Sequence, residues 1–233
     1  MRLLQEVKRP VLVVCAEKFS DKIGSVRPSR MIFGDGASAL VVGPVAHGAP
    51  PDIEVVQTYA SGPVSQVNSI IWPNPEFDND LTVYGPEVKA LVERYLDQMM
   101  GELRALDAPD GGSLLDAIEI VVPHQANKSM VAMSAAAAGL DGDDLYFDVE
   151  TVGNVSAASI PIAIYDAVRE GVIDRPMRVF TPAFGAGAVG GYTVIRIDPA
   201  IIVPEGAETA DLLAAPAGSG AGSLEDVRAA FGG

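Results

Sequence analysis

The strongest constraint on this chain lies in its second half. After Gly111-Gly112 the hydrophobic pattern alternates as strand, helix, strand, helix, strand, strand: Ala117–Val122, Asn127–Ala138, Leu145–Val149, Val155–Glu170, Arg178–Thr181 and Gly191–Ile197. Short β-branched runs alternating with stretches of helical period specify an α/β layered sheet, because each helix crossing over the sheet buries one apolar face. Upstream, the run from Val88 through Leu91, Val92, Tyr95, Leu96, Met99 and Leu103 recurs at steps of three and four, with Pro86 in the first turn. That spacing predicts a long helix whose single apolar face packs on a sheet.

The first fifty residues carry two more β-branched runs, at 11–16 (VLVVCA) and 37–43 (ASALVVG), separated by Pro28 and the turn Gly34-Asp35-Gly36. Both read as buried strands, with nothing before Val11 to supply a third. The segment Asp52 to Tyr59 reads as another strand, and the Pro/Asn/Asp-rich stretch from Pro73 to Asp80 as a loop. From Asp198 onward Ala, Gly, Pro and Ser dominate, with six acids against one base, which reads as a flexible acidic tail. Within it Leu224, Val227 and Phe231 follow the N-cap candidate Ser223 at helical spacing, so a frayed terminus and a short amphipathic helix both stand as readings. The division expected is therefore 1–50, 51–197 and 198–233.

Composition removes whole classes of function. With 16 basic and 31 acidic residues the formal net charge is −15, which repels polyanions and argues against nucleic-acid binding. One cysteine and two histidines exclude an intrachain disulfide framework and argue against a Cys- or His-rich metal centre. The sequence shows neither an apolar stretch of membrane-spanning length nor a signal-peptide pattern, so no membrane role and a cytoplasmic location are expected. No G-x-S-x-G elbow supports a hydrolase, and His47, in the loop His47-Gly48-Ala49-Pro50, reads as solvated.

Two polar residues stand where an α/β sheet binds ligands, at the carboxyl ends of strands. His124 follows Ile120-Val121-Val122-Pro123, and Asn154 follows Gly153 at the start of the next helix. An imidazole beside a carboxamide offers two hydrogen-bond donors to a developing enolate or oxyanion. Equally, Asn154 satisfies the requirements of a helix cap and His124 those of an interior polar group. Gly185-Ala186-Gly187-Ala188-Val189-Gly190 matches the dinucleotide pattern G-x-G-x-x-G by letters. Tyr192–Ile197 after it reads as a strand, whereas the dinucleotide site needs a helix there, so close backbone approach to a substrate oxygen is the reading that survives.

Taken together, Val122-Pro123-His124-Gln125-Ala126-Asn127, Gly153-Asn154-Val155-Ser156-Ala157-Ala158-Ser159-Ile160-Pro161 and Ala183-Phe184-Gly185-Ala186-Gly187 resemble the three C-terminal signatures of β-ketoacyl-acyl-carrier-protein synthase III and its thiolase-superfamily relatives. Phe33-Gly34-Asp35-Gly36-Ala37-Ser38-Ala39 and Val13-Val14-Cys15-Ala16-Glu17-Lys18 resemble the same family, in order. The resemblance implies an α/β thiolase-like fold of two stacked halves, with the C-terminal half complete and a remnant of the N-terminal half. It also implies an acyltransferase of fatty acid or polyketide-like biosynthesis: a Cys takes an acyl group from acyl-CoA, and malonyl-carrier protein loses CO2 and attacks that thioester.

By that resemblance His124 and Asn154 donate to the malonyl thioester carbonyl, and the Gly185-Ala186-Gly187 backbone, Ala186 above all, completes the oxyanion hole. Asn127 and Phe184 match pantetheine-binding positions, and neither metal nor cofactor is implied. The turn departs from the family in reading Gly-Ala-Gly, and Ser129, with Lys128 beside it, stands where a basic residue is often found. The nucleophilic Cys segment has no counterpart, since Met1–Gln5 matches the helix beyond it and Cys15 lies in a strand run, the setting of a structural thiol. The chain alone is therefore expected to be inactive in condensation, and its two leftover N-terminal strands to expose apolar faces. Expected partners are acyl-CoA, acyl carrier protein, and a second copy or a thiolase-like partner subunit. The alternative reading is a non-catalytic subunit of a heteromeric condensing enzyme.

Overall fold

The computed structural model describes residues 9–21, 31–45, 48–60, 71–74, 80–83, 85–185 and 189–203. Eight strands and three α-helices are set within them. They are β1 (Val11–Glu17), β2 (Gly36–Val42), β3 (Ile53–Ala60), β4 (Ile71–Asn74), β5 (Asp80–Val83), α1 (Gly85–Ala105), β6 (Ile120–Val121), α2 (Lys128–Ala137), α3 (Ser159–Arg169), β7 (Met177–Gly185) and β8 (Val189–Ile197).

The central sheet has the order β3-β8-β7-β6. β3 and β8 are antiparallel, as are β8 and β7, while β6 runs parallel to β7. Alternation along β7 shows why this sheet is covered on both faces. Phe180 points with Val121, Tyr192 and Val194 into a cluster closed by Val92, Leu96, Met99 and Leu103 of α1. Val179 points the other way, with Ile120, Val122 and Ile197, against Ala163, Ile164 and Ala167 of α3. Successive side chains of a strand face opposite ways, so a nearly continuous apolar run is what a strand between two helical layers requires. The face of α1 read from its sequence period is the buried one, and Met99 and Leu103 are wholly enclosed.

Several expectations are corrected. The strand over Ala117–Val122 is reduced to Ile120–Val121, whereas those over Arg178–Thr181 and Gly191–Ile197 are longer, at Met177–Gly185 and Val189–Ile197. Leu145–Val149 is not a strand: only Leu145 bridges Val121, after a 3-10 turn over Gly142–Asp144. The Pro73–Asp80 loop begins and ends in strand, since β4 and β5 pair from Ile71↔Val83 to Asn74↔Asp80. Val155–Glu170 enters through a 3-10 turn at Ser156–Ala158 before α3 begins. The acidic tail starts as a 3-10 turn over Pro199–Ile201 capped by Asp198, and the helix candidate at Ser223 lies outside the described residues, as does His47.

β1 and β2 form a separate antiparallel pair, from Val11↔Val42 to Glu17↔Gly36. They are not the buried strands that their composition suggests. Leu12, Val14 and Val41 are 52%, 61% and 67% exposed, so the expected exposure of apolar faces is what the structure shows. The pair leans on the rest of the molecule at one end, where Gly36 lies so close to Val155 and Ile162 that a Cβ there would meet them at 2.9 and 3.1 Å.

Candidate active site

His124 is placed by the parallel ladder. Past β6, Val122 N–H donates to Phe180 O (2.9 Å) and His124 N–H to Pro182 O (2.8 Å), so the register with β7 holds up to the histidine. Pro123 sits between them, where a parallel strand's alternation leaves no donor to lose. Burial pushes the imidazole pKa down to about 4, so near neutral pH it is uncharged and keeps one N–H to donate. Asn127 is extended at φ −160 and its Oδ1 accepts from Met130 N at 3.0 Å, which makes it the N-cap of α2.

Asn154 is placed by the other half of the chain. Its N–H donates to Ile32 O (2.7 Å) and its carbonyl accepts from Gly34 N (3.0 Å), forming a parallel bridge with Phe33. The approach explains two glycines. A Cβ on Gly34 would stand 2.2 Å from Val152 O, and Gly153, at φ +81, would carry one 3.1 Å from Gly34 N and Ile32 O. Asp35 fixes this turn from behind by accepting from Phe19 N (2.7 Å), Ser20 N (2.9 Å) and Ser20 Oγ (2.6 Å). Those bonds, Ser20 foremost, hold its carboxyl below the usual carboxylate range.

The side chain of Asn154 is oriented as well as placed. Its Oδ1 accepts from Ser156 N at 2.8 Å, Ser156 itself standing at φ 50, and Val155 N donates to the buried Ser159 Oγ at 2.9 Å. With the oxygen committed, the NH2 end is the part of the carboxamide left to donate.

A residue to which sequence reasoning assigns no role connects these two segments. Gln125 is 1% exposed, and its amide spans the loop of His124 and the segment that leads to Asn154. Lys128 Nζ and Glu150 reinforce the same junction at the surface, 2.5 Å apart. The adjacent Asp148 is buried, and neither of its carboxylate oxygens has a hydrogen-bond partner among the described residues. Burial first, then Asp166 and Glu170, push its pKa up to about 6. The signal for Gln125 is a large polar residue between a strand end and a helix cap, but three of its four partners lie 21 to 24 residues away.

Phe184 is half-buried near the end of β7 and stacks on Tyr95, with ring centroids 6.4 Å apart. Gly185 pairs with Val189, while Ala186 and Gly187 lie outside the described residues. Because β7 and β8 are antiparallel neighbours, no helix follows the glycines and the dinucleotide reading falls. A Cβ on Gly190 would stand 2.8 Å from the Tyr95 ring, and on Gly191 2.6 Å from Gln57 O, so both glycines serve packing. Cys15 lies in β1 opposite Ser38 and is half-buried. Among the described residues no group of three His, Cys, Asp or Glu is arranged to hold a metal, and no helix is long and apolar enough to cross a membrane.

A four-stranded mixed sheet between helical layers, with a histidine at one strand end and an asparagine latched to the turn ahead of β2, is the arrangement of a thiolase-like fold. Residues 3–61 match the family model for 3-oxoacyl-[acyl-carrier-protein] synthase III, and residues 111–197 match the model for its C-terminal domain. The chain belongs to the 3-oxoacyl-[acyl-carrier-protein] synthase III family. It is 29% identical over 197 residues to the β-ketoacyl-[acyl-carrier-protein] synthase III of Psychromonas ingrahamii, covering 81% of this chain and 59% of that protein. The crystal structure of the Aquifex aeolicus synthase III superposes with a TM-score of 0.70 at 26% identity, over 84% of this chain and 61% of that one. The priming β-ketosynthase of the R1128 polyketide pathway gives 0.66 at 27% identity, over 82% and 58%. The chain thus spans about three fifths of the length of these relatives.

Proposed function

We propose that His124 and Asn154 form the malonyl-activating pair of a synthase III-type condensing enzyme acting on acyl-CoA and a malonyl thioester of acyl carrier protein. The bond between the malonyl methylene carbon and its carboxylate breaks, CO2 leaves, and the electron pair passes into the thioester as an enolate. The two donors stabilise the enolate oxygen. The methylene carbon then attacks the carbonyl carbon of an acyl group held on a cysteine, and the thiolate leaves. The observation that carries this reading is that both side chains are left as donors: burial keeps His124 neutral, and Ser156 N occupies the Asn154 oxygen. Phe184 and the NH2 of Asn127 line the pantetheine arm, the backbone at Gly185, Ala186 and Gly187 supplies the oxyanion hole, and the cycle calls for neither metal nor cofactor. The accepting cysteine is not Cys15, which stands in mid-strand, and it belongs to a segment outside this sequence. A cytoplasmic place in fatty acid or polyketide-like synthesis fits these substrates.

Decarboxylation needs the donor pair but not the nucleophile, so the chain by itself is expected to release CO2 from malonyl-CoA without condensing it. His124→Ala and Asn154→Ala should each lower that rate about 100-fold. A folded protein that releases no CO2 would overturn the reading. Joining the family's N-terminal segment, in cis or in trans, should restore acyl transfer.

The exposed apolar residues of β1 and β2 favour a second reading, that this chain is one subunit of a heteromeric synthase whose nucleophile lies on another polypeptide. Recovery of a thiolase-like polypeptide at fixed stoichiometry from native lysate supports it, and a lone monodisperse chain there rejects it.

A further inference from the structure

We propose that Gln125 is the positioning residue that holds His124 and Asn154 at a fixed separation; this rests on reading those two as the donors of the site. Its amide is fully used. Nε2 donates to Pro123 O (2.8 Å) and Tyr146 O (3.4 Å), and Oε1 accepts from Asp148 N (3.1 Å) and Val149 N (3.2 Å). Two donors and two acceptor sites are all that a carboxamide has.

The two ends of this clamp lead directly to the two donors. Pro123 precedes His124. Asp148 and Val149 open a tight turn in which Thr151 N and Val152 N donate to Asp148 O (2.9 and 3.0 Å) and Gly153 N donates to Val149 O (3.0 Å), delivering Asn154. Sheet pairing does not fix this distance, because beyond the bridge of Val121 with Leu145 the two segments part. Between them stands one buried amide. Two donors aimed at a single enolate oxygen must converge, and a displacement near 1 Å at such a site costs about 100-fold in rate. A methionine would fill the same volume while leaving two N–H and two C=O groups without this partner. A glutamate would keep the two N–H bonds that hold the Asn154 segment.

The test is amide hydrogen exchange on the full chain, with Gln125→Met and Gln125→Glu beside the wild type. The reporters are Asn154 N–H, bonded to Ile32 O, and Gly34 N–H, bonded to Asn154 O, since neither touches Gln125. Gln125→Met should speed exchange at both about 10-fold or more while Val194 in β8 keeps its protection. Gln125→Glu should recover most of that protection. A side chain that merely fills space predicts the reverse order, with the buried carboxylate worse than methionine, and that order overturns the proposal. So does wild-type exchange at Asn154 and Gly34 in Gln125→Met. If Gln125→Met does not fold, Gln125→Glu is judged alone: retained protection supports the clamp and lost protection rejects it. In malonyl-CoA decarboxylation Gln125→Met should lower kcat about 100-fold with KM within about threefold. If the wild type releases no CO2 while the exchange result holds, the clamp stands and the assignment of the donor pair fails.

Discussion

Asp148 sits in the interior with no hydrogen-bond partner for either oxygen among the described residues, near Asp166 of α3 and Glu170 at its end, and its charge sets a slope of stability with pH. Its folded pKa, about 6, lies above the ordinary 3.8, so the folded state binds this proton more tightly. That contribution is present in full below about pH 4 and is lost as pH rises through 6. Asp148→Asn should therefore be more stable than the wild type by about 2 kcal/mol above pH 6 and indistinguishable below pH 4, as urea midpoints across that range would show. His124 works in the opposite sense: its folded pKa, about 4, lies below 6.5, so acidification from 6.5 to 4 removes stability. In a titration by far-UV circular dichroism the two slopes should largely cancel in the wild type, leaving Asp148→Asn with the acid-labile profile of the histidine. Gly34 gives a steric counterpart. Gly34→Ala must push Val152 O away and should cost about 2 kcal/mol in urea denaturation, with loss of Asn154 protection. At this scale the places of His124 past a strand end and of Asn154 ahead of a helix were legible in the sequence. The role of Gln125 was not, because its meaning lies in partners distant in the chain.

Among the elements, the segment after Leu145 shows how a strand pattern can fail. Leu145-Tyr146-Phe147-Asp148-Val149 has strand composition, but Gln125 takes the N–H groups of Asp148 and Val149, so the ladder stops at one bridge. β3 and β7 depend on a different polar anchor. Arg178 is 4% exposed, bonds Glu54 of β3 through Nε (2.8 Å) and Nη2 (3.1 Å), and reaches Ala117 O (3.3 Å). Its own N–H donates to Glu119 (2.8 Å), so one residue ties three segments. Arg178→Met should destabilise by about 3 kcal/mol, because it strands the half-enclosed Glu54, and adding Glu54→Gln should recover part of that loss in a double-mutant cycle. α1 and α3 were read correctly because a helical face is encoded at steps of three and four, whatever lies opposite. For β1 and β2 the same logic gave the strands but not their burial, since β-branched residues favour extended backbone whether or not a neighbour covers them.

Across the whole molecule the imbalance is between a sheet with helices on both faces and a strand pair with little cover. The exposed side chains of Leu12, Val14 and Val41 make β1 and β2 the expected origin of self-association, against a net charge of −15 that opposes it. Leu12→Lys with Val41→Lys should reduce light scattering and dye binding to apolar surface, and added salt should raise both in the wild type by screening the charge. If those substitutions change neither, the self-associating surface lies elsewhere.

The sequence by itself determined the layered α/β class, the helices with their buried faces, the family, and the positions of the histidine and asparagine. All of these follow from information local to a few residues: period, turn chemistry and short motifs. Tertiary structure alone decided that Asn154 is latched to the Gly34 turn, that Gln125 joins the loop of His124 to the segment ahead of Asn154, and that Asp148 is enclosed with no partner among the described residues. Those facts depend on which backbone groups meet across long separations in the chain, and that is fixed by packing, where a missing Cβ or one satisfied amide selects the arrangement.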